Sequence, residues 1–138
     1  MSRAGFLDPL LRRQARPQEL VNVTRGTVVA RKLDAAFDSA ARKHGLLGRD
    51  GLDDASALVI APCSAVHTFF MRFPIDVLFV DRDGRVKRAR RGLAPWRVAL
   101  GLGAFAVVEG PAGMIQRSGT QAGDELALRE ASLGVPTP

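Results

Sequence analysis

The feature that most restricts what this chain can fold into is a succession of short strand-like runs, mostly apolar and each five to eight residues long. Between Ala57 and Glu130 they are ALVIA, VHTFFMRF, IDVLFVD, RVKRARR, AFAVVE and ELALRE, separated by Pro, Gly and Asp-Gly. Runs of that length, rich in β-branched and aromatic residues and closed off by turn formers, are strands rather than helices. Asp83-Gly84 is a tight hairpin signal, and upstream ELVNV and TVVARKL flank Arg25-Gly26 as a second hairpin. One stretch carries a helical period instead. In LDAAFDSAARKHG, the residues Leu33, Ala36, Phe37, Ala40 and Ala41 line one helical face. Asp34 is placed to cap its first turn, Arg42, Lys43 and His44 lie near its carbonyl end, and Gly45 can close it, which predicts a helix over residues 34–44. Many strands with one helix predict a mainly β protein, an antiparallel sandwich or barrel-like domain with the helix packed on its side or end.

At 138 residues the chain suits one domain. The expected organisation is a flexible basic arm over 1–17, which contains Arg12, Arg13 and Arg16 and ends at Pro17, then a β-rich domain over 18–130 and a disordered tail over 131–138. Asp8, Pro9 and Arg12 interrupt any secretory core, so the expected location is cytoplasmic, with no transmembrane segment. Cys63 is the only cysteine, which excludes an internal disulfide and multi-thiolate zinc sites. No cofactor and no metal are expected: Cys63, His67 and Asp76 do not follow a recurrent zinc spacing.

The basic excess, 20 Lys and Arg against 14 acids, falls in two clusters, one in RRQAR at Arg12 to Arg16 and the other in a strand where Arg85, Lys87, Arg88, Arg90 and Arg91 form a basic patch. Such a patch attracts nucleic acid, acidic protein or anionic lipid without specifying which, or simply keeps an edge strand soluble. If Val66–Phe73 is a strand, both its faces are largely apolar and it lies in the centre of a sheet. Asp76 then stands among Ile75, Val77, Leu78 and Phe79. A buried carboxylate costs several kcal/mol unless it is paired or accepts hydrogen bonds. It can accept amides from the turn at Pro74, pair with His67, Arg72 or Arg97, or face a ligand. Cys63 and His67 would stand about 13 Å apart on one extended strand, too far for a thiol and its base. Trp96, between Pro95 and Arg97, walls a pocket or covers the end of the sheet. The glycines around EGPAGMIQRSGTQAGDEL read as tight connections in which no helix begins, and Glu109 reads with them.

The series PCSAVHTFFMRFPIDVLFVDRDGRV, LAPWR, VVEGPAG and GTQAGDELAL resembles the family called domain of unknown function 192, from about Gly45 to Leu128. The resemblance implies a β-rich single domain and carries over Phe70, Met71, Pro74, Asp76, Phe79, Asp81, Pro95, Glu109, Gly113, Gly123 and Asp124 as motif positions. Phe70 stands where many members have tryptophan, and the turn before Pro74 is shorter. No activity is implied. The expected function is a small-molecule, peptide or protein binding module using His67, Met71, Asp76, Trp96 and Arg97, with Pro74, Gly113, Gly123 and Asp124 as structural positions. The alternatives are a small enzyme with Asp76 or His67 as acid and base, a reading less favoured than a non-enzyme, and a nucleic-acid or acidic-partner binder using residues 85–91.

Overall fold

The computed structural model describes residues 5–11 and 17–131. Its strands are β1 (Gln18–Asn22), β2 (Thr27–Ala30), β3 (Lys32–Ala36), β4 (Ser56–Ile60), β5 (Ala65–His67), β6 (Ile75–Val80), β7 (Val86–Leu93), β8 (Val98–Leu100), β9 (Ala106–Pro111) and β10 (Leu126–Glu130). Three short helices accompany them: α1 (Asp8–Leu11), α2 (Ser39–His44) and α3 (Met114–Ser118). The protein is mainly β with no closed barrel. A central sheet runs in the order β3-β4-β9-β6-β7, a second sheet β10-β1-β2, and β5 and β8 form a two-stranded third. β3 and β4 are parallel, and the other pairs are antiparallel.

Every residue of β6 and β9 is buried, because both faces of the central sheet are covered. Leu78, Val80 and Val108 pack on one face against Leu20, Val29, Leu126 and the α3 residues Met114 and Ile115. Ile75, Val77, Phe79 and Val107 pack on the other against Val66, Met71, Leu93 and Ala99. At Gly101 an added methyl group would run into the Phe79 ring, which is how closely the β5–β8 layer approaches the sheet.

The helix expected over 34–44 starts later. Lys32–Ala36 pairs in register with Ser56–Ile60, and Asp38, not Asp34, caps α2 by accepting the Ala41 amide at 2.7 Å. Pairing along the free edge of β4 satisfies the backbone of residues 32–36, and this overrides an apolar spacing that fits either state. The expected strand over Val66–Phe73 ends at His67. Thr68, fully buried, stops it: its hydroxyl donates to the Ala94 carbonyl at 2.6 Å and accepts the Arg97 amide at 2.9 Å. Val98–Leu100, which reads as loop, is the strand that pairs with β5. A helix does begin at Met114, contrary to expectation, after Gly113 turns the chain at φ 101°. The Asp83-Gly84 hairpin forms, with Asp81 accepting the Asp83 and Arg85 amides at 2.9 Å each. Of the expected N-terminal arm, residues 5–11 include α1 and place Leu7 in the core. Arg12–Arg16 and the tail from Ser132 lie outside the described residues.

Asp76 faces α3. Its Oδ2 accepts the Gly113 amide at 3.2 Å and the Ile115 amide at 2.9 Å, while Oδ1 accepts the Gly92 amide at 2.8 Å. Gly92 lies in a bulge where the β6–β7 register shifts between Ile75 and Val77, so its N–H is diverted from the ladder. The acid therefore does accept backbone amides, from the bulge and from the α3 turn rather than from the Pro74 corner. Asp124 accepts the Arg25 Nε, the Asn22 Nδ2 and the Gln121 amide, each at 3.0 Å, tying the β1–β2 hairpin to the turn before β10.

Asp76→Ala leaves the buried Ile115 amide and the partly buried Gly92 and Gly113 amides without their acceptor; with a buried unpaired amide costing on the order of 1–3 kcal/mol and a partly hydrated one less, we expect a loss of about 3 kcal/mol in urea unfolding. Asp76→Asn, which keeps one acceptor oxygen, should lose roughly half as much. Asp124 is held down to about 2 by hydrogen bonds from Arg25 and Asn22. Its contribution is present above the unfolded carboxylate value of about 3.9 and is lost as pH falls through that value toward the folded one. The urea midpoint should drop between about pH 4 and about pH 2, and Asp124→Asn should flatten that segment.

Candidate functional site

β9 runs through the middle of the central sheet, with Leu58 and Val77 flanking Glu109 on either side. Strand alternation puts Glu109 on the same face as Val107, toward α2 and the β5–β8 layer. Its side chain reaches the wall of a cavity of about 140 Å³ that His44, Leu46, Cys63, His67 and Met71 also line. Glu109 is 6% exposed, and among the described residues none donates a hydrogen bond to its carboxylate. Burial pushes its pKa up to about 7, with the charge of Arg49 opposing that rise. Arg49 is itself shared with Asp34, 3.7 Å away. The group therefore exchanges its proton near neutrality, where a small change in surroundings decides its charge.

The elements around the cavity follow from local chemistry. α2 ends at Gly45, whose φ of 48° releases the chain so that Leu46 turns inward. The bend at Pro62 to Ser64 brings Cys63 to the cavity that His67 borders, although the two are four residues apart. They do not act as a pair: the Cys63 thiol donates to the Ala65 carbonyl at 3.0 Å, and the imidazole of His67 stacks on Phe69 at 5.1 Å. Among the described residues no group of three or more His, Cys, Asp or Glu side chains is arranged to hold a metal ion.

Of the five expected site residues, His67 and Met71 share the cavity. Asp76 does not join them: it lies on the opposite face of the central sheet, beside Leu78 and α3. Trp96 is 55% exposed on the outside of the β5–β8 layer, and Arg97 next to it donates from Nη1 to the Trp96 carbonyl at 3.2 Å. Arg88 donates to the Leu100 carbonyl at 2.6 Å and Arg85 to the Gly123 carbonyl at 2.8 Å, while Arg90 and Arg91 are exposed on the edge strand β7. Pro74 leads into β6, Gly113 begins α3, and Gly123 donates its amide to the Val86 carbonyl at 2.7 Å. Glu109 was legible only in part. Read as a turn residue, it gave no sign of burial, yet alternation along AFAVVE already sets it beside Val107.

A family model described as uncharacterized ACR, domain of unknown function 192, matches residues 20–128. A UPF0127 protein of Thermococcus sibiricus is 30% identical over 129 residues, covering 86% of this chain and 81% of its own length. A protein of unknown function from Novosphingobium aromaticivorans has a crystal structure that superposes with a TM-score of 0.68 at 24% identity, covering 80% of this chain and 82% of that one. A Sinorhizobium meliloti protein, described as a supposed transcription regulator, gives a TM-score of 0.71 at 20% identity over 80% of this chain and 91% of its own. At these identities the two structures establish a shared fold. With the match running from the first β-hairpin to the last strand, the chain belongs to the domain of unknown function 192 family.

Proposed function

We propose that the protein is a binding module whose site is the cavity beneath α2, and that it takes a ring-sized ligand or peptide side chain carrying a hydrogen-bond donor. The observation that carries this reading is Glu109, a 6% exposed carboxyl in the middle of a sheet that opens onto the cavity and has no hydrogen-bond donor among the described residues. An acid that only stabilised the fold would be saturated, as Asp76 is by three amides. Leu46, Leu47, Ile60, Val66 and Met71 supply apolar wall, Arg42, His44, Cys63 and His67 supply further polar groups, and a volume of about 140 Å³ is close to that of a cavity able to hold one benzene ring. Apolar wall with several placed polar groups is the ordinary composition of a ligand pocket. An ammonium, amide or hydroxyl donor would meet the carboxylate, while His67 and Met71 border the bound group.

Thermal unfolding in the presence of benzylamine and ring-sized amides and alcohols tests the site. A ligand raises the midpoint as its concentration passes its dissociation constant, and Glu109→Gln should remove the rise for the amine. If none of these compounds shifts the midpoint, the cavity is a packing defect and the proposal fails. Glu109 also makes a prediction without ligand. A carboxyl whose folded pKa lies above its unfolded one contributes stability that is present below about pH 4.5 and is lost as pH rises through about 7. Glu109→Gln should thus gain on the parent protein by on the order of 3 kcal/mol between about pH 4 and pH 8.

A further inference from the structure

The two-stranded sheet of β5 and β8 carries a second surface, on the side away from the core. Ala65 pairs with Leu100 and His67 with Val98; all four are exposed while Val66 and Ala99 face in, and because Ala65 and His67 also edge the cavity beneath α2, the outer surface is carried by Val98 and Leu100 of β8. Val98 and Leu100 are each 57% exposed and Leu102, in the loop that follows, 91%. At the other end of the strands Phe69 lies between His67 and Trp96, at 5.1 and 5.9 Å, and Phe70 lies 4.7 Å from Trp96. Phe70 and Trp96 have φ of 64° and 65°, a left-handed conformation that is costly for any residue with a Cβ. Both lie in turns around the buried Thr68, whose carbonyl accepts the Met71 amide at 3.2 Å and the Trp96 amide at 3.0 Å, and these turns leave the two rings 72% and 55% exposed.

Cations stand beside these apolar side chains. Arg97 bonds to the Trp96 carbonyl and Arg88 to the Leu100 carbonyl. The Lys87 side chain runs next to Gly103, where an added methyl would come within 3.4 Å of its Cε. Arg90 shares a sheet face with Arg88, since they oppose Val77 and Phe79. From Gly84 to Val108 the sequence has six Arg and Lys and not one Asp or Glu.

We propose that this face docks onto an anionic lipid surface, with Phe70, Trp96, Val98, Leu100 and Leu102 entering the headgroup and acyl boundary and the Arg and Lys side chains meeting lipid phosphates. Protruding aromatic and aliphatic groups bordered by cations are what such binding requires. A second copy of the chain would oppose one cationic rim to another. Single-stranded nucleic acid would stack on Phe70 and Trp96 but give Val98, Leu100 and Leu102 no partner. An acidic protein would need a pocket for each protruding side chain, whereas acyl chains deform around them.

Trp96 is the only tryptophan, so its emission reports on this face alone. Titrating the full chain with vesicles of phosphatidylglycerol and phosphatidylcholine should shift that emission to the blue and pellet the protein, and vesicles of phosphatidylcholine alone should do neither. Leu100→Glu combined with Leu102→Glu, both at exposed positions, should weaken vesicle binding at least tenfold, to the order expected for placing charge where apolar groups enter lipid. Arg88→Gln and Arg90→Gln should each cost roughly fivefold. No response to anionic vesicles overturns the proposal. So does an equal response to neutral vesicles, or a response to single-stranded DNA or polyglutamate that anionic vesicles do not reproduce.

Discussion

The carboxylate of Asp76 joins three stretches of backbone that no continuous ladder connects: the bulge in β7, the Gly113 turn and the first turn of α3. The Ile115 amide is buried and those of Gly92 and Gly113 are partly buried, and each would lose its acceptor without the carboxylate. The bulge and the α3 turn both follow from positive φ at glycine, 56° at Gly92 and 101° at Gly113. Asp76 lets the chain use these two irregularities at the centre of a sheet covered on both faces. With α3 fixed, Met114 and Ile115 complete one half of the core. The Met114 side chain sits so close to Gly110 that no Cβ fits there.

The same sheet holds a second buried carboxyl, and the contrast between the two organises the molecule. Asp76 on β6 points to α3 and is saturated by backbone amides. Glu109 on the neighbouring strand β9 points to the opposite side, into a cavity, without a donor among the described residues. Burial alone therefore sets its proton affinity, modified by Arg49. One acid is a fixed part of the architecture. The other holds a charge that its surroundings determine, which is the property a binding site uses.

Much of the fold was readable from alternation and turn chemistry. Both hairpins, the buried centre at Ile75–Val80 and the charged edge at Val86–Leu93 follow from residue pattern. The misreadings have physical causes. Residues 32–36 carry an apolar spacing that suits a helix, and only the parallel edge of β4, supplied by tertiary structure, decides for a strand. In VHTFFMRF the apolar run continues past His67, but Thr68 turns the chain by bonding to Ala94 and Arg97, nearly thirty residues away in sequence. The site was half legible. His67 and Met71 meet at the cavity, but Asp76 drew attention away from Glu109, because a lone acid in an apolar run is conspicuous while one at the end of a strand resembles a turn residue.

Glu109 is a carboxyl at the cavity wall with no hydrogen-bond donor among the described residues, and carboxyl carbon NMR read as a function of pH addresses this group directly. The Glu109 side-chain resonance, assigned by its loss in Glu109→Gln, should titrate with a midpoint near about 7. A midpoint in the ordinary glutamate range, about 4 to 5, would mean that the carboxylate is solvated or paired, and would contradict both the burial of the group and its assignment as the centre of the site.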